Sequence, residues 1–311
     1  VTTGISYLYP ASVTEAVALL ADWDGRARIM AGGTDLMPAL QQGRCAPACL
    51  VDVTRIPSLD LVEVRDGFVV AGAAVSFARL QSDPFLRARV PALVEAAASV
   101  AAAPLQSVAT WAGNIAQAMP AADGALVAVA LQAEARVVSA AGARWVAVDS
   151  LYCGPKTSTL DPTRQMISHL SFPLPGPGWG CAWQRTGRRP ALILPTLNCA
   201  STVQLSADGS RILAATLALG AVAQLPFRVC AAEAALLGQE PAEVSFEQAA
   251  LMAQTECRPR SSPLRASREY RQALIPVMVR DCLAQATRLA RAVVWRSVSG
   301  RGRPVGKQDD P

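Results

Sequence analysis

Two glycine-bearing turns carry the residue types that hold an anion. The first, "RIMAGGTDLMPAL" (28–40), sets Gly32 and Gly33 between an apolar run and the opening of a short helix. A strand, a glycine pair and a helix start together present several backbone N–H groups at the positive end of a helix dipole, and a glycine lets an oxyanion approach where a Cβ would stand. Taken alone, this is also ordinary corner chemistry. The Rossmann spacing G-x-G-x-x-G is not met, because the next glycine is Gly43, although Asp52 ends the following strand where a ribose-binding acid would stand. The Walker spacing fails too, since no G-K-[ST] follows, which disfavours a nucleoside triphosphatase.

The second turn is "TWAGNIAQAMPAADGAL" (110–126). Thr110, Gly113 and Asn114 precede small residues, and Asp123 stands at the start of another helix. Hydroxyl, amide and backbone N–H suit a phosphate or ribose, and Asp123 suits ribose hydroxyls, provided the two turns meet in space. Each piece has a plain structural alternative: Asn114 caps a turn and Asp123 caps a helix. Their joint occurrence favours a ligand.

Other chemistry is thin. The eight cysteines are scattered, no C-x-x-C occurs, and the nearest pair, Cys45 and Cys49, lacks further ligands, so reduced buried thiols are expected rather than disulfides or a metal centre. The single histidine, His169, lies in the alternating stretch "QMISHLSFP", a strand-wall position, which argues against a His-based triad. A net charge of +5, without Lys/Arg stripes interleaved with aromatics, argues against nucleic acid. The N-terminal stretch lacks the basic start and apolar core of a signal peptide, and no apolar run reaches membrane-spanning length, so a soluble cytoplasmic protein is expected.

The 311 residues suffice for two or three compact units, and with 51% apolar but only 5% aromatic residues the cores must be filled by small aliphatics, above all Ala and Val. Ser12 and Glu15 have capping-box spacing ahead of a helix over 13–22. Strands over 28–31 and 49–53 flank a short helix over 34–42 that Gly43 closes. Asp66-Gly67 and Ala141-Gly142 mark tight hairpins. Between them lie a helical stretch ("SDPFLRARVPALVEAAASVA") and a buried helix ("ADGALVAVALQA"). A strand over 165–173 leads into the Pro- and Gly-rich linker 173–180. Beyond it, two strands around Asp208-Gly209 precede helices at "RVCAAEAALLG", 245–256 and 267–294, the last with a kink expected at Pro276. The expected units are a domain over 1–175 with subdomains of about 1–55 and 56–175, a C-terminal domain over 180–295, and a mobile tail over 296–311.

With these elements in place, the chain resembles the FAD-binding medium subunit of the molybdenum hydroxylases, the family of xanthine dehydrogenase and bacterial carbon monoxide dehydrogenase. The resemblance rests on "AGGTDLMP", "LVDVTRIPSL", "TWAGNIAQAMPAADGAL", "YCGPKTSTLDP", "RTGRR" and "SPLRASREYRQAL", in family order over nearly the whole chain. It implies an α+β protein: two N-terminal α/β FAD-binding subdomains of the PCMH type, then a C-terminal domain with a small antiparallel sheet packed on helices. Noncovalent FAD would be wrapped by Ile29, Met30, Ala31, Gly32, Gly33, Thr34, Asp35 and Leu36. Thr110, Gly113 and Asn114 would complete the clamp, Asp123 would meet the ribose, and Val100 and Ile167 would line the site. The chain departs from the family at Ala112, where a glycine is common, at Gln184, where many members place a lysine near the flavin, and around Arg164 and Gln165, where an acid is usual.

The resemblance further implies an electron-transfer role in a heterotrimer or its dimer. A large molybdenum-cofactor subunit would oxidise the substrate, and a small [2Fe-2S] subunit would pass electrons to this chain and on to an external acceptor. A self-contained flavin oxidase and a flavin-less scaffold are the alternatives, while substrate and acceptor are not legible.

Overall fold

The computed structural model describes residues 4–189, 192–263 and 265–299. The first unit comprises β1 (Ser6–Leu8), α1 (Val13–Asp22), β2 (Ala27–Met30), α2 (Leu36–Gln41) and β3 (Cys49–Asp52), with the strands parallel in the order β1-β3-β2. Ser12 Oγ accepts from the Glu15 N–H at 3.1 Å, and the Glu15 carboxylate accepts from the Ala11 N–H at 2.7 Å. This is the expected capping box with the return bond one residue earlier. Ala16, Val17 and Leu20 of α1 pack on Cys49 and Val51 of β3.

The second unit opens on the hairpin β4 (Val62–Arg65) and β5 (Phe68–Gly72). Asp66 and Gly67 both have positive φ, +50° and +81°, as a two-residue turn matching strand twist requires. Six helices follow: α3 (Phe77–Ser82), α4 (Pro84–Arg89), α5 (Pro91–Ser99), α6 (Ala103–Gln106), α7 (Trp111–Ala116) and α8 (Asp123–Ala130). The stretch over 82–101 read as one helical region holds two helices, α4 and α5, and takes in the last residue of α3, because Pro84 and Pro91 cannot continue a helix but can begin one. Asp83 caps α4 by accepting from the N–H groups of Phe85 and Leu86. Every residue of α8 is buried, which is why its sequence lacks a polar face.

The unit continues with β6 (Glu134–Ser139), β7 (Gly142–Ala147), β8 (Tyr152–Gly154), β9 (Thr157–Ser158) and β10 (Gln165–Pro173). Antiparallel strands run β4-β5-β10-β6-β7, with the last N-terminal strand in the middle, while β8 and β9 form a separate small hairpin.

The C-terminal domain is a four-stranded antiparallel sheet, β11 (Trp179–Thr186), β12 (Leu197–Leu205), β13 (Ile212–Gly220) and β14 (Phe227–Arg228), followed by α9 (Cys230–Leu236), α10 (Glu243–Glu256) and α11 (Arg268–Ser299). Both faces of this sheet are covered. Cys181, Trp183, Ala200 and Ala218 join the core of the second unit, while Ala182, Cys199, Leu217 and Leu219 pack with residues of α9 to α11. Burial on both faces removes the polar alternation that marks a strand, so β11 was hidden behind the linker in the sequence. The last helix continues through Pro276, and residues 296–299, read as tail, belong to it. The remainder of the expected mobile tail, 300–311, lies outside the described residues.

Candidate functional site

The two glycine turns touch. A Cβ on Gly32 would stand 1.9 Å from the carbonyl oxygen of Val108 and 2.9 Å from Cα of Ala109, so the first turn lies directly against the loop entering α7. Gly33 has φ +66°, a conformation that disfavours any side chain. Between β2 and α2, the backbone N–H groups of Gly32, Gly33, Thr34 and Asp35 donate to no group among the described residues. Four consecutive free donors at a strand-to-helix corner form a cradle for an oxyanion.

The second turn is held from behind. Thr110 is buried and caps α7, its hydroxyl oxygen accepting from Gly113 N–H at 3.0 Å. Asn114 Oδ1 accepts from Ala125 N–H at 3.0 Å, capping α8 from a distance, and Trp111 Nε1 donates to Gly124 O at 2.9 Å. These bonds leave the Asn114 amide donors and the Thr110 hydroxyl hydrogen available. Ala112 lies inside α7 and is not among the residues with positive φ, so its methyl is accommodated in the helix.

The turns open into a cleft of about 600 Å³ between the first two units. Its walls contain all eight residues from Ile29 to Leu36, together with Val100, Thr110, Gly113, Asn114 and Ile167. Phe77, Leu105 and Met166 add apolar surface. Sequence reasoning missed Arg28 and the β8–β9 hairpin, whose Lys156, Thr157 and Ser158 also line the cleft. The segment "YCGPKTSTLDP" was noticed, but nothing local in it says where Lys156 points; its φ of +59° marks a tightly constrained turn. Gln165 lines the cleft as well, while Arg164 pairs instead with Asp24 at 3.0 Å on the surface.

Two expected site residues lie elsewhere. Asp123 is 6% exposed and stands away from the cleft at the junction with the C-terminal domain. Its carboxylate accepts from Asn198 Nδ2 at 2.7 Å, Arg185 Nη1 at 3.1 Å and Ser99 Oγ at 3.2 Å. These three donors hold the carboxylate in an interdomain ion pair, whereas the expected ribose contact needs it on the cleft wall. Burial raises its pKa, outweighing the opposing effects of Arg185, Asn198 and Ser99. Gln184 is also absent from the cleft wall; its amide donates to Gln285 Oε1 at 3.2 Å on α11. Asp52, the other candidate acid, turns back on Thr54, accepting from its N–H and hydroxyl.

His169 is half-buried in β10 against Ser168, and burial, followed by the charge of Arg136, lowers its pKa. Among the described residues no cluster of three His, Cys, Asp or Glu side chains is placed to hold a metal, and no helix is long and apolar enough to cross a membrane.

A glycine cradle facing a second capped turn, across an apolar cleft between two α/β units, defines a protein that binds a phosphate-bearing cofactor. Residues 3–175 match the family described as the FAD binding domain in molybdopterin dehydrogenase, and residues 184–286 match the CO dehydrogenase flavoprotein C-terminal domain. The chain is 29% identical to a putative xanthine dehydrogenase FAD-binding subunit of Escherichia coli (strain K12), covering 92% of this chain and 97% of that one. It is 30% identical to the carbon monoxide dehydrogenase medium chain of Hydrogenophaga pseudoflava, over 90% and 96% of the two chains. Among solved structures, carbon monoxide dehydrogenase from that organism superposes with a TM-score of 0.84 at 31% identity, covering 92% of this chain and 98% of that one. Quinoline 2-oxidoreductase from Pseudomonas putida 86 gives 0.82 at 29%, with the same coverage. The chain belongs to the FAD-binding subunits of the molybdenum hydroxylase family, and it is an oxidoreductase subunit.

Proposed function

We propose that this chain carries noncovalent FAD between its first two units and serves as the electron-transfer subunit of a molybdenum hydroxylase complex. The cofactor's pyrophosphate would rest on the free N–H groups of Gly32, Gly33, Thr34 and Asp35, which is the observation that carries the reading. Thr110 and Asn114 would donate from the opposite turn, and Gly113 keeps the approach open. Ile29, Met30, Ala31, Leu36, Val100 and Ile167 supply wall rather than polar contact. Lys156 and Arg28 add positive charge beside a dianionic pyrophosphate. When bound, FAD supplies the redox chemistry, and the protein supplies position, electrostatics and exclusion of water.

The titratable side chains of the cleft wall are Arg28, Asp35 and Lys156, with Asp35 and Lys156 exposed. Such a wall supports an electron relay better than a self-contained oxidase, which needs a base held against its own substrate. Electrons would come from a small [2Fe-2S] subunit, with the molybdenum cofactor in a large subunit, and leave to an external acceptor. The assembly would be a cytoplasmic heterotrimer or its dimer. We take the FAD-binding part as residues 1–175, divided near 55, and the C-terminal domain as 180–295.

Purification from the native cells tests this: a yellow chain with one FAD, accompanied by molybdenum- and iron-bearing subunits, is expected. Colourless protein co-purified with such partners would favour a scaffold, and turnover of substrate by this chain alone would favour an oxidase.

A further inference from the structure

A second cavity, of about 430 Å³, lies in the crease between the second unit and the C-terminal domain. Its wall carries four basic side chains, Lys156, Arg260, Arg265 and Arg271, and no carboxylate among the described residues. Arg271, in the first turn of α11, is the deepest of them at 6% exposed. One of its terminal nitrogens donates to the carbonyl of Ala221, but its buried Nε–H has no hydrogen-bond partner among the described residues. Burial first, then the charges of Arg265 and Arg260, lower its pKa, and no carboxylate among the described residues of the wall compensates the guanidinium. Natural interiors rarely leave such a donor unpaired, and a charge withdrawn from water without a counter-charge is a standing cost.

The crease is held by unusual backbone. Lys156 and Ala221 have φ of +59° and +61°, and Ala118 has +50°. Lys156 N–H donates to Ala118 O at 2.9 Å, and Ala221 N–H donates to Pro120 O at 3.0 Å, so the left-handed residues link one rim of the cavity to the other. The conformation that presents Lys156 and the carbonyl of Ala221 is therefore built in rather than incidental.

We propose that this crease is an oxyanion site that takes a phosphate-class dianion, with Arg271 Nε as the buried donor and Arg265, Arg260 and Lys156 as converging positive charge. Planar guanidinium groups match tetrahedral oxyanions through paired N–H donors, and several converging cations favour a dianion over a single carboxylate. The site is separate from the pyrophosphate cradle of the FAD cleft and does not depend on that assignment. Lys156 belongs to both walls, which places the anion at the edge of the FAD cleft. The same chemistry arrives as free inorganic phosphate or as the phosphoryl end of a larger molecule.

The test is calorimetric titration of the full chain, FAD content measured in each sample, in a phosphate-free buffer of fixed ionic strength. Inorganic phosphate and adenosine monophosphate are the two probes, and adenosine is the uncharged control. Saturable binding of at least one phosphate probe is expected, with none for adenosine at the same concentration. Phosphate binding as tightly as the monophosphate assigns the site to a free oxyanion, and tighter binding of the monophosphate assigns it to the end of a larger ligand; both support the site. Arg271→Gln should weaken binding at least tenfold. Because Arg271 also braces the fold, the rim variants Arg265→Gln and Arg260→Gln are the decisive ones: each should weaken binding several-fold with FAD content and melting temperature unchanged. No phosphate binding by the wild-type chain, or rim variants that bind as the wild type does, would overturn the proposal. A colourless chain whose phosphate binding is weakened by the rim variants would count against the FAD assignment alone.

Discussion

Gly32→Ala puts the contact between the two turns under direct test. The added Cβ would fall 1.9 Å from Val108 O, against a floor of 3.0 Å for real Cβ contacts, and the obstruction is backbone rather than a side chain that can swing away. The turns would have to part by about 1 Å, at an overpacking cost of about 1–3 kcal/mol in stability. That shift moves the four free N–H groups relative to Thr110 and Asn114. Losing even one charge-assisted hydrogen bond to a pyrophosphate costs about 1.5–3 kcal/mol, so the FAD dissociation constant should rise roughly tenfold to a hundredfold.

Fluorescence titration of the apoprotein with FAD measures that constant, with circular dichroism to establish that the variant is folded. Gly176→Ala is the control, because its Cβ would meet nothing within 4 Å and Gly176 is not on the cleft wall; unchanged FAD affinity is expected. Unchanged FAD affinity in folded Gly32→Ala, whether or not its melting temperature falls, would make the turn a structural corner and refute the clamp.

Asp123→Ala should behave differently. Removing a carboxylate that is 6% exposed leaves Arg185, itself 10% exposed, without its partner, so stability should fall by about 3–5 kcal/mol while FAD affinity per folded molecule changes little. Urea unfolding alongside FAD titration separates the two effects, and a large loss of affinity at intact stability would restore the ribose role.

In native protein Cys153 and Cys230 are exposed, Cys45 is half-buried and the other five thiols are buried, so a thiol-specific chromogenic reagent should label no more than three quickly and eight after denaturation. Burial pushes Cys257 up to about 12 and raises Cys181 and Cys199 as well. The unfolded thiols ionise first, from about pH 9, while the folded ones keep their protons, so this contribution to stability is lost as pH rises. The urea midpoint should therefore drop between about pH 8 and about pH 10.5, and a midpoint that held or rose would contradict this account.

What was legible in the residues was local chemistry. Asp66-Gly67 announced its turn because few residue pairs tolerate positive φ twice, and Ser12 with Glu15 announced a helix start because the bonds that satisfy its first N–H groups come from neighbours three residues apart. The glycine pair at 32–33 was visible as an anion turn for the same reason. β11 was not visible, since a strand covered on both faces carries no alternation. Asp123 was ambiguous because its position at a helix start fits a ribose contact, a cap or an ion pair equally well. Only the packing of β11 and β12 against α5 and α8 brings Arg185 and Asn198 to it.

The same division runs through both cavities. Composition and spacing specified which backbone could receive an anion, because turn conformation depends on the residues in the turn. That Gly32 lies against Val108, that Lys156 reaches the cleft beside the first turn, and that Arg271 meets Ala221 depend on segments at least 50 residues apart along the chain coming together. Those partners are chosen by the burial of whole faces, a property of the assembled layers that no single stretch contains.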